Sequence, residues 1–228
     1  MDDSTARLLA RCTRSLARAP EQPAKLVPWP EFCRPLSGLL SCNVREWQRL
    51  GGFHHHRAAT VLVAFRASWL ALCATVPEHH LGLPIPSLTT AHAALDDRGM
   101  LLGLALDSRS TQHAWWATVS EFLSPLTEGL ASLDGPPPGS DQYWGNAVGL
   151  IGEVLRRMAI DGAGGNVFDT AVELRGATGR EDLLDLSATP RGLHSRRRTC
   201  CQLWRANAGY CTECVLHNAP RSRRNQRG

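Results

Sequence analysis

The feature that most constrains the folding of this chain is a group of four cysteines near its C-terminus. The adjacent pair Cys200 and Cys201 and the spaced pair Cys211 and Cys214 fall within fifteen residues. Four thiolates complete the first coordination shell of a metal centre, and both an iron–sulfur cluster and a structural zinc ion take four cysteines. The difference matters for function, because a cluster transfers electrons whereas a structural zinc ion only holds a loop.

The spacing of these cysteines favours a cluster. Structural zinc sites usually take each cysteine pair from a Cys-x₂₋₄-Cys turn, which Cys211 and Cys214 fit and the adjacent Cys200 and Cys201 do not. Neighbouring side chains diverge, so both sulfurs reach one small ion with difficulty. A [2Fe–2S] cluster is larger and has two irons, which adjacent cysteines can share. The sequence therefore predicts a [2Fe–2S] cluster on all four cysteines, with zinc, a disulfide and unligated thiols as alternatives.

The cysteine motif also resembles that of a known family. A Cys-Cys pair, a spacer and a C-terminal Cys-x-x-Cys are similar to the cluster motif of the FhuF-like ferric siderophore reductases, and the segment from Thr189 to Cys201 resembles that family's approach to its cluster. The triplet Trp144-Gly145-Asn146 matches more weakly. The spacer here is nine residues, one fewer than in the family pattern. The similarity extends loosely over residues 50–216 and is specific only near the cysteines.

The resemblance implies a reaction and its participants. It implies a [2Fe–2S] cluster on Cys200, Cys201, Cys211 and Cys214 and one-electron reduction of a ferric siderophore, with hydroxamates among the candidate substrates. Siderophores hold Fe(III) far more tightly than Fe(II), so one added electron loosens the iron. No Gly-rich dinucleotide fingerprint follows a predicted strand, and we therefore expect a separate electron donor. No catalytic residue beyond the cluster ligands is predicted.

Two other functions remain open. The first is a module in which the four cysteines bind zinc and the Arg-rich tail binds nucleic acid. The adjacent cysteines and the acidic body argue against it, and nucleic acid is not among the expected partners. The second is an iron–sulfur electron carrier or sensor without a siderophore site.

The net charge of +4 is unevenly distributed along the chain. Residues 191–228 contain nine arginines and one acidic residue, a net charge of +8, which leaves −4 on residues 1–190. A basic segment around the cysteines suggests an anionic partner or docking surface, although a solvated terminus would have the same composition. Arg196, Arg197 and Arg198 precede the first cysteine and could bind an anion or favour the reduced state of a cluster.

The sequence predicts a cytoplasmic protein, with a peripheral position at the inner face of the membrane as a variant. The first fifteen residues carry five charged side chains and no uninterrupted apolar core, which is unlike a signal peptide. The most apolar segment, residues 60–76, contains Arg66 and is short for a transmembrane helix. Disulfides are rare in the cytoplasm. Four scattered cysteines are therefore expected to be simple thiols: Cys12, Cys33, Cys42 and Cys73.

The apolar pattern predicts a mostly helical α+β fold with a small β-hairpin and a C-terminal iron–sulfur lobe. We expect a body at 1–188 and a [2Fe–2S]-binding segment with a basic tail at 189–228. Helices are predicted at 4–18, 57–76, 110–133 in two pieces with Ser124 as the second cap, 140–160 with Ser140 as cap, and 168–174. A hairpin is predicted at 89–95 and 100–106 around an Asp-Asp-Arg-Gly turn. Residues 19–40 are predicted to be an extended connection, and residues 176–189 a loop.

Two further groups of side chains are assigned mainly structural roles. Consecutive histidines point in different directions, so residues 54–56 and the pair His79 and His80 do not easily share one metal ion. Tryptophans 115, 116 and 144 are expected in the core. Any chelate cleft is expected on the helical body, with Trp and His side chains at its wall.

Overall fold

A computed structural model describes residues 25–53, 55–107, 110, 114–133, 138–163, 165–190, 192–205 and 215. This part of the chain is mostly helical with small antiparallel sheets, which confirms the predicted fold class at that level. Its helices are α1 (Trp29–Cys33), α2 (Leu39–Gly51), α3 (His56–His80), α4 (Trp115–Ala131), α5 (Ser140–Ile160) and α6 (Val167–Ala177). Its strands are β1 (Lys25–Pro28), β2 (His92–Leu95), β3 (Leu101–Ala105), β4 (Leu184–Thr189) and β5 (Gly192–Arg197).

The core forms around α3 and α5, which pack along one another. The sequence of α3 is apolar on nearly every side, and the predicted helix is confirmed with four more residues at its C-terminal end. By length and composition α3 could cross a membrane, but 78% of its apolar window is buried within the protein, as in the central helix of a globular core. The absence of a transmembrane segment stays a prediction.

The predicted hairpin is confirmed, with one strand more than expected. In its turn, Asp96 Oδ1 accepts hydrogen bonds from the backbone N–H groups of Arg98 and Met100 at 2.9 and 2.8 Å. Gly99 has a φ of +82°, which favours glycine. Strand β1 pairs antiparallel with β2 and extends the hairpin to three strands.

The prediction that residues 19–40 form an extended connection is wrong for the described residues from 25 onwards. Strand β1, helix α1, a 3₁₀ turn at Pro35–Ser37 and the start of α2 lie there. Proline is tolerated in the first turn of a helix, where its missing N–H has no acceptor. Trp29 makes this segment part of the core, because its ring stacks on Phe122 at 4.1 Å and its Nε1 donates to the Phe122 carbonyl at 2.7 Å.

Two predicted helix caps are also wrong. Helix α4 is continuous through Pro125, and the Ser124 hydroxyl donates to the Ser120 carbonyl within the helix instead of capping a new one. Burial of one apolar face of α4 outweighs the hydrogen bond that the proline removes. Ser140 is the first residue of α5, whereas Gly139 occupies the cap position and provides no side-chain hydrogen bond.

The prediction of a loop at 176–189 is wrong for its second half, which forms the first strand of the second sheet. After the end of α6 and a 3₁₀ turn at Glu181–Leu183, β4 pairs antiparallel with β5. The short helix predicted at 168–174 is confirmed as part of α6. The boundary predicted at 188/189 falls inside β4, and the division into two domains stays a prediction. The predicted helix 4–18 lies outside the described residues.

Strand β5 packs on α5 through a row of glycines, called here the glycine stripe. Three glycines share one face of α5 because they are four and three residues apart: Gly145, Gly149 and Gly152. A Cβ atom at each would overlap a side chain that alternates along β5 and its continuation: Thr199, Arg197 and Ser195, in that order. The helix and the strand therefore approach so closely that no larger residue fits between them.

The glycine stripe predicts that alanine substitutions in two helices change the free energy of unfolding in opposite directions. Gly149→Ala should lower the free energy of unfolding by about 1–3 kcal/mol, because the new methyl group overlaps the stem of Arg197. Gly176→Ala, in α6, is the matched control, because no atom lies within 4 Å of its added Cβ. It should gain about 0.5–1 kcal/mol from helix propensity. Urea unfolding measures both, and equal effects of the two substitutions would contradict the close packing of β5 on α5.

Candidate functional site

Two of the four predicted metal ligands lie in the described part of the chain. Cys200 is half-buried and Cys201 is 3% exposed, and both lie in the turn that follows Arg198 and Thr199 after the end of β5. Neither forms a disulfide there. Cys211 and Cys214 lie outside the described residues. The set of four ligands and the cluster they would bind stay predictions.

The backbone around Cys200 is held in a defined conformation. Gln202 has a φ of +61°, which is uncommon for a residue with a side chain. The turn brings the Gln202 backbone N–H to 3.4 Å from Cys200 Sγ. On the other side, Gln142 Nε2 of α5 donates to the Cys200 carbonyl at 3.1 Å. An N–H group donated to a cysteine sulfur stabilises its thiolate, the form that binds metal.

The described residues fit a metal-bound thiolate on further grounds. Thr199 Oγ1, next to Cys200, is buried against Gly145 of α5 and has no hydrogen-bond partner in the described part of the chain. Soft sulfur donors suit both iron–sulfur clusters and zinc. Among the described residues, no group of three or more His, Cys, Asp or Glu side chains could hold a metal ion. A metal ion bound by Cys200 and Cys201 would therefore take its other ligands from outside the described residues.

The three arginines before the cysteines are not equivalent. Alternation along β5 places Arg197 inward, at 5% exposure, between a half-buried Arg196 and an exposed Arg198. Arg198 pairs with Asp185 of β4 at 2.8 Å. Arg197 Nη1 donates to Asn146 Oδ1 at 3.5 Å, and its guanidinium lies 5.4 Å from the centre of the Phe65 ring. Asn146 and Gly145 of the Trp-Gly-Asn triplet thus both contact the segment that leads into the cysteines.

A cavity of about 350 Å³ opens beside this segment. Two of its lining residues flank the cysteine pair, since Arg197 lies three residues before Cys200 and Leu203 two residues after Cys201. A trans peptide chain spans at most about 3.6 Å per residue, so the cavity wall lies close to both thiols. The complete lining consists of Trp47, Leu62, Phe65, Arg66, Trp69, Leu150, Glu153, Arg157, Arg197 and Leu203.

The cavity is positively charged and partly aromatic. Arg66 is half-buried and donates to the Leu102 carbonyl, and burial lowers the pKa of its guanidinium. Arg157 lies over the Trp69 ring at 5.3 Å and pairs with Glu153 at 2.7 Å. Stacking of a guanidinium on an aromatic ring uses the face of the group and leaves its in-plane N–H donors for other partners.

Sequence reasoning missed most of this cavity. Two sequence patterns together could have indicated that β5 packs on α5 and points Arg197 inward. They are the four- and three-residue spacing of glycines on α5 and the alternation of residues 195, 197 and 199, which pack against those glycines. Trp47 and Trp69 line the cavity and no histidine does among the described residues, so the chelate cleft with Trp and His side chains at its wall stays a prediction.

The histidine pair His79 and His80 has a structural role. His79 Nε2 pairs with Glu173 at 3.0 Å and His80 Nδ1 hydrogen-bonds Thr170 at 2.8 Å, so both attach α6 to the end of α3. His55 is exposed and His56 begins α3, while residue 54 lies outside the described part.

The predicted core tryptophans are in or against the core. Trp115 is buried and its Nε1 donates to Thr75 at 3.2 Å. Trp116 and Trp144 are partly buried and meet edge to face at 5.8 Å.

No protein-family model matches this chain, and none of the curated proteins matches it. The function of this protein is therefore inferred from the cysteine motif and the geometry around it.

The exposure of the thiols predicts their order of reactivity in metal-free protein. Cys200 should react with iodoacetamide faster than the buried Cys201, since it is more accessible and receives the Gln202 N–H. Elsewhere, Cys42 should react faster than Cys33, because Cys33 is buried and burial raises its pKa. Tandem mass spectrometry of the labelled peptides measures each rate. Equal rates at Cys200 and Cys201 would contradict the conformation of this turn.

Proposed function

We propose that this protein is a [2Fe–2S] ferric siderophore reductase of the FhuF-like kind. The observation that carries the proposal is the cationic, aromatic cavity whose wall includes residues on both sides of the Cys200–Cys201 pair. An electron-transferring group and its substrate must lie close together. A cavity beside the cysteine pair would place a bound substrate next to a cluster held by those cysteines.

Cys200, Cys201, Cys211 and Cys214 would hold the cluster, which when bound supplies electrons one at a time. The Gln202 N–H stabilises negative charge on Cys200, and the Gln142 amide fixes the carbonyl of the same residue. The glycine stripe holds Thr199 against α5 and so fixes the direction in which the chain enters the cysteine pair. These contacts would orient two ligands before a metal binds.

The substrate would be a ferric siderophore at the cavity beside the cysteines. Reduction lowers the charge of the iron from Fe(III) to Fe(II), weakens its attraction to the oxygen donors of the chelator, and leaves the chelator intact. The electron would come from a separate donor protein. The protein would act in the cytoplasm, with a peripheral position at the inner face of the membrane as a variant.

Replacement of the cysteines tests the metal centre. Cys200→Ser, Cys201→Ser, Cys211→Ser and Cys214→Ser should each lose most of the visible absorbance, iron and acid-labile sulfide of anaerobically purified protein, because each removes a thiolate ligand. Cys42→Ser is the matched control, since Cys42 is a half-buried thiol on α2. A colourless wild-type protein with bound zinc would instead support the zinc module.

Turnover tests the reductase itself. When the reduced protein is mixed anaerobically with a ferric siderophore, its absorbance should return to that of the oxidised protein while a ferrous chelator traps Fe(II). The rate should saturate with siderophore, because binding in a cavity precedes electron transfer. A rate that stays linear to high siderophore concentration would indicate collisions with an exposed cluster and would favour the electron-carrier function.

A further inference from the structure

The cavity beside the cysteines has chemical features that select its ligand independently of any metal. Within the described part of the chain, its lining contains three arginines and a single carboxylate. That carboxylate, Glu153, is shared by Arg157 and by Arg156, which lies outside the lining. The lining therefore carries more positive than negative charge in a partly enclosed space, where charges are poorly screened.

Trp47, one of the lining residues, has an unused hydrogen-bond donor. Trp47 Nε1 is buried, and it has no hydrogen-bond acceptor among the described residues. A buried N–H without an acceptor costs free energy, which a ligand oxygen at this position would recover. Both the excess charge and the missing acceptor call for an anionic oxygen.

The remaining walls favour a flat ligand. Trp47, Phe65 and Trp69 contribute aromatic rings, and Leu62, Leu150 and Leu203 contribute aliphatic surface. Arg197 and Arg157 already stack on Phe65 and Trp69, so these guanidiniums are held in place before a ligand arrives. A volume of about 350 Å³ matches the small end of ligand pockets.

We propose that this cavity binds a planar organic anion of the aryl carboxylate type, with its carboxylate toward the arginines and Trp47 and its ring between the aromatic walls. If the protein acts as proposed above, on which this step rests, the cavity would receive an anionic aryl arm of the ferric chelate.

Isothermal titration calorimetry with small metal-free probes tests the site on the full-length protein. Benzoate should bind about tenfold or more tightly than its neutral isostere benzamide, because hydrogen bonds to a charged acceptor are stronger by about 1.4 kcal/mol. Benzoate should also bind more tightly than cyclohexanecarboxylate, which has the charge without the flat ring. Equal affinity for benzoate and benzamide, or no binding of benzoate, would overturn the proposal.

The structure provides a matched pair of variants for this titration. Arg157→Gln should weaken benzoate binding about fivefold, a change of about 1 kcal/mol. Arg156 is adjacent, has the same charge and pairs with the same Glu153, but it does not line the cavity. Arg156→Gln should therefore leave benzoate binding unchanged. Equal losses in both variants would mean that only the overall charge of α5 matters, and would overturn the site.

A second variant tests the unused donor. Trp47→Phe keeps an aromatic wall and removes the indole N–H, so benzoate affinity should fall while circular dichroism still reports a folded protein. Unchanged affinity would contradict the orientation proposed for the carboxylate.

The outcome separates this inference from the proposed function. The probes contain no iron, so their binding does not depend on a cluster. If purified protein binds benzoate but contains no cluster, the anion site is supported and the reductase function is contradicted. A reductase that turns over ferric siderophores but fails to distinguish benzoate from benzamide would overturn the site alone.

Discussion

The close contact between α5 and β5 positions both the cysteine turn and one wall of the cavity. At the three glycines of the stripe, side chains of β5 and its continuation pack directly on the backbone of α5, with no Cβ atom between them. This contact attaches the last described strand to the central helix pair rather than leaving it as an appendage. It also sets the position of Thr199, the residue immediately before the cysteine pair. A metal-binding segment benefits from such support, because ligands held in place before binding lose less conformational entropy.

The same contact explains the burial of Arg197. A charged side chain is rarely buried without partners. Here the glycine stripe provides room for the stem, Asn146 provides an acceptor and Phe65 provides an aromatic face. The guanidinium thereby joins the wall of a cavity beside the cysteines. The cysteine turn and the cavity are therefore not independent, since one helix–strand contact positions the turn at Cys200 and brings a cation to the cavity.

Much of the helical fold follows from local patterns. The apolar run of α3, the hairpin turn at Asp96 and the apolar spacing of α5 are each visible over a few turns of chain. One error occurs where packing outweighs local preference. Pro125 lies inside α4 because one face of that helix is buried. A different error is the loop predicted at 184–189, because the alternation of Leu184, Leu186 and Ala188 with polar residues is itself a strand pattern, and these residues pair with β5.

The candidate metal ligands could be read directly from the chain, because the spacing of four cysteines is a local chemical property. The sequence could not decide which of three consecutive arginines faces inward, since that depends on the phase of β5 relative to α5. Only the tertiary structure brought Trp47, Arg66 and Arg157, from three different helices, to one cavity. The physical reason is that a binding cavity is formed by long-range packing, whereas a ligand motif and a helix are encoded by neighbours in the chain.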